Sequence, residues 1–525
     1  MSSKTKSLQE NTSEKLKELV NIYIERLHTF SETSIPELEV KFGTKNVNSL
    51  SKNNFDNVVK SLLNFGFKSN IDDRYLLRIM LEKNDIIEKS NLQNIRVEID
   101  GFNNIQNYCL TNNLPKVLDN NYKFIEKTLY NYDGKTYYPI DFNDYNFRVT
   151  YNIENSIDKT SEKFNILIDN WNNYKKIFRY IKRYTFTHDK LPFTIDMSIV
   201  KSSIKKYGKT ISSYTLGDSN VLNSPENYEI EIEINNELIG PTNKYNNLDT
   251  IIQMLRKTIK YVMIGLQNTL YPISITEQND NLRQYLKLID KREYQVKPIE
   301  RRDFIGPSSV TLQIDNVIEL DKETQQNTKI PNIRNNYTVT DKADGYRRLM
   351  FINNTGYIYL INTNMNIEFT GAITKNKEIF NTIIDGEYVQ NDKYNNFINL
   401  YIGFDIYFIN NKNITGFPFI EQIKTSEPES SDDDETEKKS HDKKSDDKKS
   451  DDKKSKKTDK VKGSQQEILN RLQVLNSVIK SLNASSIISK KDSPMLFQVK
   501  KFYSNNMFTS SYKILNNIKD GLYNY

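Results

Sequence analysis

The residues with the clearest chemical meaning lie in Thr340-Asp341-Lys342-Ala343-Asp344-Gly345-Tyr346-Arg347. A lysine amine attacks a phosphate only when deprotonated, a state that neighbouring cations and partial burial favour. Arg347 and Arg348 bring cations close in the sequence, and Gly345 leaves room for the backbone to approach a nucleotide. Lys342 is therefore read as a nucleophile that takes a nucleotide onto its side-chain nitrogen. Two strand-like segments follow in order, Ile384-Asp385-Gly386-Glu387-Tyr388 and Ile402-Gly403-Phe404-Asp405-Ile406-Tyr407.

A second constellation is built from carboxylates. In Ile35-Pro36-Glu37-Leu38-Glu39-Val40-Lys41-Phe42, period-two spacing puts Glu37, Glu39 and Lys41 on one face and Leu38, Val40 and Phe42 on the other. In Tyr228-Glu229-Ile230-Glu231-Ile232-Glu233-Ile234, the glutamates share one face and the isoleucines the other. Carboxylates aligned down a strand repel one another unless a cation or basic groups compensate. If both acidic faces point into one barrel, they form an all-oxygen site for a hard divalent ion, Mg2+ or Mn2+. The strands between them bear Arg78, Arg96, Lys127, Arg148, Arg179 and Arg183. Inward-facing cations opposite a carboxylate-held metal suit a substrate with several phosphates.

The elements that must position these groups can be read from hydrophobic spacing. Residues 12–30 repeat apolar side chains at helical period. Eight segments rich in β-branched and aromatic residues follow, at 35–42, 75–81, 94–100, 123–129, 145–153, 178–187, 193–200 and 228–234. They predict a mostly antiparallel barrel with inserted helices. A helix is expected at 248–270, then a basic connector from Lys291 to Arg302. A second αβ region follows, with strands at 349–353, 357–361, 382–389, 400–409 and 496–502 and a helix at 466–482. Residues 424–463 hold repeats of Ser-Asp-Asp-Lys-Lys and almost no apolar side chains; this charged insertion is expected to be disordered.

Composition narrows the chemistry. The chain of 525 residues has a net charge of +6, which permits a polyanionic partner without demanding one. Cys109 is the single cysteine, so an intrachain disulfide and cysteine-pair zinc motifs are excluded. The three histidines, His28, His188 and His441, are far apart, which again points any metal to carboxylates. The first residues lack the apolar core of a signal peptide, and Arg256, Lys257 and Lys260 interrupt the most apolar helix. A soluble, intracellular protein without a membrane partner is expected.

The Lys342, Asp385-Gly386-Glu387 and Phe404-Asp405 segments together resemble the covalent nucleotidyltransferases, the mRNA guanylyltransferases and polynucleotide ligases. Phe304-Ile305-Gly306-Pro307 is similar to the segment that opens many guanylyltransferase domains. The resemblance implies that Lys342 is the nucleophile, with Asp344 in its motif, and that Arg347 contacts ribose or phosphate. It also implies that Glu387 holds ribose or metal, that Phe404 stacks on the base, and that Asp405 is a metal or structural residue. The family's later Lys-x-Lys strand has no counterpart. Asp520-Gly521-Leu522-Tyr523 resembles the strand before it, so this domain is expected to be incomplete at Tyr525.

The paired glutamate strands resemble the metal-dependent RNA triphosphatases of the tunnel type. That resemblance implies Glu37, Glu39, Glu231 and Glu233 as metal ligands, with Glu229 in support. It implies Arg183 as a phosphate ligand, Asp196 as a catalytic acidic residue, and Lys127 and Arg148 as further catalytic cations, with Arg78 a weaker match. A triphosphatase followed by a guanylyltransferase is the order of mRNA capping enzymes of large DNA viruses of the mimivirus and poxvirus type.

The expectations are therefore an α+β chain. Residues 1–245 form a triphosphatase tunnel, 246–300 a helical and basic connector, and 301–525 a guanylyltransferase domain with an insertion at 424–463. RNA 5′ ends and GTP are the expected substrates, with a downstream cap methyltransferase as partner and a viral factory in the cytoplasm, or the virion, as location. Two other readings fit part of the sequence: an ATP-dependent polynucleotide ligase or end-healing enzyme, and a non-catalytic RNA-binding fragment.

Overall fold

In a computed structural model the described residues are 3–43, 49–69, 74–82, 94–117, 121–240, 243–290, 299–319, 331–334, 336–420, 470–504 and 506–519, with 3–10, 518 and 519 described by backbone alone. The charged insertion, Lys291-Arg292 and Asp520–Tyr523 lie outside them. The chain forms two compact units, residues 1–283 with 368–370, and residues 284–367 with 371–525.

The first unit is built on β1 (Ser34–Phe42), β2 (Arg74–Leu81), β3 (Ile95–Asp100), β4 (Tyr122–Leu129), β5 (Phe147–Ser156), β6 (Lys176–Thr187), β7 (Phe193–Ser202) and β8 (Glu226–Ile234). They pair antiparallel in the order β1-β8-β7-β6-β2-β3-β4-β5, and β5 pairs back to β1. The sheet is thus a closed barrel of eight strands, each close to a segment expected from alternation. Closure removes the edges that an open sheet would expose.

The barrel is apolar outside and charged inside. Leu38, Val40 and Phe42 of β1 and Ile230 and Ile232 of β8 point outward into a buried core. Three helices cover that side: α1 (Ser3–Arg26), α2 (Lys52–Asn64) and, after two short helices, α5 (Leu248–Gln267). The short ones, α3 (Phe102–Thr111) and α4 (Glu162–Asp169), pack with Trp171 over Leu77, Val97 and Phe178 on another side. Ser51 and Asn54 close a capping box at the start of α2. Gly265 lets α5 approach α2 closely, since a Cβ there would lie 2.5 Å from Val58 Cα. Its buried face makes α5 part of the first unit's core rather than of a separate connector at 246–300.

The second unit contains a sheet with β9 (Tyr346–Ile352), β10 (Tyr357–Asn362), β11 (Ile367–Ile373), β12 (Thr382–Asn391), β13 (Phe397–Ile409) and β14 (Leu496–Val499). β12 lies between β9 and β13, and β14 adds to β13 in parallel. Helix α7 (Arg471–Ser481) packs Leu475 and Val478 onto this sheet; α6 (Ile275–Asp290) precedes it in the chain, and α8 (Met507–Lys519) follows. Strand Ile367–Ile373 and the helices at 52–64, 102–111, 162–169 and 507–519 were not expected from periodicity.

Candidate functional site

The strand pairings carry the sequence-marked side chains of the first unit to the lumen. β1 and β8 align Glu39 with Glu233 and Lys41 with Glu231. β7 sets Asp196 beside Glu231, β6 sets Arg183 beside Ser198, and β4 sets Lys127 beside Glu154. Carboxylate oxygens of Glu39, Glu231 and Glu233 all lie within 4.8 Å of one another. Glu39 and Glu231 are buried, at 7% and 3% exposure.

Most charges in this lumen meet an opposite one. Lys41 pairs with Glu231 and Lys127 with Glu37, and Lys127 also lies 3.3 Å from Glu154. Arg183 binds Asp196 at 2.6 Å and Glu231 at 3.2 Å and donates to Ser198; Thr185 donates to Asp196. Arg179 holds Glu229 at 2.6 Å. Arg78 and Arg96 share Glu98 at 2.6 and 3.0 Å, and Arg96 reaches Glu154 at 2.8 Å. Burial without such pairs would cost several kcal/mol per ion, on the order of that given for unpaired buried charges.

The three clustered carboxyls are unequal. Burial, with Glu231 nearby, pushes Glu39 up to about 7. Burial, with Asp196 and Glu37 nearby, pushes Glu233 up to about 8. Burial also opposes ionisation of Glu231, but Lys41 and Arg183 outweigh it and hold this carboxyl below the usual range. The cluster therefore carries less negative charge than three free carboxylates, which is how like charges at this spacing are tolerated. Its all-oxygen donor set and residual negative charge fit a hard divalent cation.

The sequence-expected residues are not all equivalent. Glu37 is committed to Lys127, and Glu229 to Arg179, so neither belongs to the close triad. Arg148 is bound to Asp141 at 2.7 Å and is 42% exposed. With Lys41, Arg179 and Glu229 it lines a cavity of about 750 Å³ at the end of the barrel where β8 begins.

In the second unit, Lys342 sits in the loop before β9 and is exposed, without the partial burial expected of it. This loop lies against the segment after β14: Thr340 donates to the Lys501 carbonyl at 2.7 Å, and Val339 bridges to Tyr503. Asp344 is exposed in the same loop. Arg347 faces Glu387 across β9 and β12. It makes two hydrogen bonds to Asp385, of 3.1 and 2.6 Å, and one of 2.8 Å to the Pro307 carbonyl. Gly306 is needed there, because a Cβ would fall 2.5 Å from Arg347 Nη2. Burial raises the Asp385 carboxyl although Arg347 and Tyr407 hydrogen-bond to it. Phe404 is half-buried at an irregularity where β12 and β13 lose step, a device that re-aims side chains. Asp405 binds Arg471 at 2.9 and 3.1 Å, which favours its structural role. Gly345 proves to serve strand packing: a Cβ would lie 2.9 Å from the Tyr388 carbonyl oxygen of β12.

Residues 300–461 match the family described as mRNA capping enzyme, catalytic domain. That segment is thus similar to the catalytic domain of mRNA capping enzymes. A probable mRNA-capping enzyme of Acanthamoeba polyphaga mimivirus is 29% identical over 232 residues, covering 44% of this chain and 16% of the viral protein. The chain thus matches well under two thirds of that relative's length. Among solved structures, the S. pombe Pct1 RNA triphosphatase aligns over 48% of this chain and 89% of its own, at 13% identity and a TM-score of 0.25. The PH1819 protein from Pyrococcus horikoshii OT3 aligns over 43% and 89%, at 14% identity and a TM-score of 0.21. At such scores the fold rests on the strand pairings alone.

Residues 300–461 hold Lys342, Arg347, Glu387 and Phe404, and the structure adds one residue from outside them. Lys500, 8% exposed at the end of β14, puts its Nζ 3.8 Å from Glu387 Oε2. It has no motif of its own, so only the parallel pairing of β14 with β13 reveals it. In the barrel, sequence reading left out Glu98 and Glu154, although the alternation in Arg96-Val97-Glu98-Ile99-Asp100 marks Glu98. Among the described residues, no helix is long and apolar enough to cross a membrane.

Proposed function

We propose that this chain performs two consecutive steps of mRNA 5′ capping. The first removes the γ-phosphate of a 5′-triphosphate RNA in the barrel lumen. The second transfers GMP from GTP through Lys342 to the resulting diphosphate end. The observation that carries the reading is the lumen itself, where the Glu39, Glu231 and Glu233 cluster lies among Lys41, Lys127 and Arg183. Its presence in one chain with a capping-enzyme segment supports capping as the purpose.

In the first step Glu39, Glu231 and Glu233 would hold a divalent ion, Mg2+ or Mn2+, which when bound supplies charge neutralisation at the triphosphate. Arg183 and Lys127 would exchange part of their pairing with carboxylates for phosphate oxygens and stabilise the charge that develops there. Asp196 positions Arg183, and Glu37 positions Lys127. Water forms a bond to the γ-phosphorus, and the bond from that phosphorus to the β–γ bridging oxygen breaks, releasing phosphate.

In the second step the Lys342 amine forms a bond to the α-phosphorus of GTP as pyrophosphate leaves, and the nitrogen loses a proton. The diphosphate end of the RNA then displaces lysine from that phosphorus. Glu387 and Lys500 would face the nucleotide, Phe404 its base, and Arg347 would orient from its bond to Asp385. Incubation with GTP labelled at the α-phosphate tests this step: a labelled protein band lost in Lys342→Ala supports it, and labelling by ATP instead would favour a ligase.

A further inference from the structure

The hairpin that follows β7 is built oddly for a surface turn. Lys205 pairs with Thr210 and Lys206 with Lys209, leaving Tyr207-Gly208 as the turn. Both turn residues have positive φ, 50° and 78°. Asn, Asp and Gly adopt this conformation readily, whereas an aromatic residue is strained in it. Tyr207 nevertheless occupies it and is fully exposed, packing on nothing that would repay the strain. Strain kept at an exposed tip points to a function for the ring.

The surroundings say which function. Lys205, Lys206 and Lys209 are exposed, and among the described residues none of them is in an ion pair. From Met197 to Gly217 the chain has no acidic residue. Lys205 and Thr210 also line the cavity of about 750 Å³ that contains Lys41, Arg179 and Glu229. Glu229 is two residues from Glu231 on β8, about 7 Å along the strand, so the cavity that the hairpin lines adjoins the strand that carries the carboxylate cluster. Lysines track phosphates and exposed aromatic rings stack on bases, a combination that binds single strands with little sequence preference.

We infer that the 205–210 hairpin is a binding site for single-stranded RNA, holding the nucleotides just behind a 5′ end seated in the lumen. The placement of the 5′ end rests on the triphosphatase reading; the binding of the strand does not. Lys205, Lys206 and Lys209 contact backbone phosphates, and Tyr207 stacks on a base.

The test is fluorescence anisotropy with 3′-labelled single-stranded RNA, bearing either a 5′-triphosphate or a 5′-hydroxyl, over a range of salt. Tyr207→Asn places a residue suited to the turn and so keeps the hairpin folded. It should weaken binding of both RNAs by about fivefold or more, the loss of one stacked base. The combined K205Q, K206Q and K209Q variant should flatten the log–log salt dependence by about 2, at about 0.7 per phosphate contact on a single strand. Equal losses for the two RNAs are expected, because the hairpin reads the strand and not its end. Unchanged affinity and salt slope in both variants would overturn the inference. So would polyglutamate binding that Tyr207→Asn weakens while RNA binding stays intact, since that would assign the hairpin to an acidic protein partner. Absence of phosphate release by the wild type would count against the triphosphatase reading and leave this result standing.

Discussion

Lys41 lies opposite Glu231 across the β1–β8 pairing and forms an ion pair with it inside the barrel. The same lysine is 3.8 Å from Glu39, so one ammonium offsets two members of the carboxylate cluster. A divalent ion held by Glu39, Glu231 and Glu233 would take over part of that compensation. Lys41→Met should therefore lower the melting temperature in ion-free buffer, and Mn2+ should restore more stability to the variant than to the wild type. Thermal melting with and without Mn2+ measures both. An equal gain in the two proteins would show that Lys41 and the ion do not share Glu231.

Lys176 gives a pH dependence. It is fully buried, donates to the Tyr174 and Tyr214 carbonyls at 2.8 Å each, and lies over the Trp171 ring. Burial lowers its amine to about 8. Because the folded value lies below the unfolded one, near 10.4, the unfolded chain binds more protons between those pH values. Stability from this group should rise as pH goes from about 8 to about 10, and the same rise should be absent in Lys176→Met. Urea unfolding at several pH values reads the slope; an unchanged slope in the variant would contradict the assignment.

Gly386 tests the packing that holds the second site. A Cβ there would lie 2.5 Å from the Ile402 carbonyl oxygen and 2.6 Å from the Tyr401 ring. Gly386→Ala should destabilise the second unit by about 1–3 kcal/mol, the usual range for overpacking. Denaturant unfolding should show an earlier transition, together with weaker GMP labelling of Lys342.

The sequence was most informative where alternation was strong. Glu37, Glu39 and Lys41 could be put on one face because Leu38, Val40 and Phe42 had to share the other. Richness in β-branched and aromatic residues marks all eight barrel strands. Pairing was not legible, because period-two spacing fixes a face and says nothing about the neighbour. That Lys127 meets Glu37, and that Lys500 meets Glu387, depends on closure of the barrel and on β14 joining β13. Helix α2, Lys-Asn-Asn-Phe-Asp-Asn-Val-Val-Lys-Ser-Leu-Leu-Asn, is not legible in the sequence because its asparagines are weak helix formers; its cap and its contact with α5 stabilise it. The role of Gly345 in strand packing is hidden for a similar reason, since nothing in its own segment shows that β12 runs beside it.

Lys500 separates a nucleotide contact from a structural lysine. Lys500→Met should reduce GMP labelling by tenfold or more, about 1.4 kcal/mol or greater, while Lys342→Ala abolishes it. Raising GTP should recover labelling in Lys500→Met if the lysine binds the nucleotide. Wild-type labelling in Lys500→Met would remove it from the site.

The most direct measurement is release of labelled phosphate from RNA carrying a 5′-[γ-32P]triphosphate, with Mn2+ present, by wild type, Glu39→Gln, Glu231→Gln and Glu233→Gln. The carboxylate cluster of the barrel predicts release by the wild type and a loss of a hundredfold or more, about 2.7 kcal/mol, in each variant of unchanged fold. Full release by any of the three variants, or none by the wild type, would contradict it.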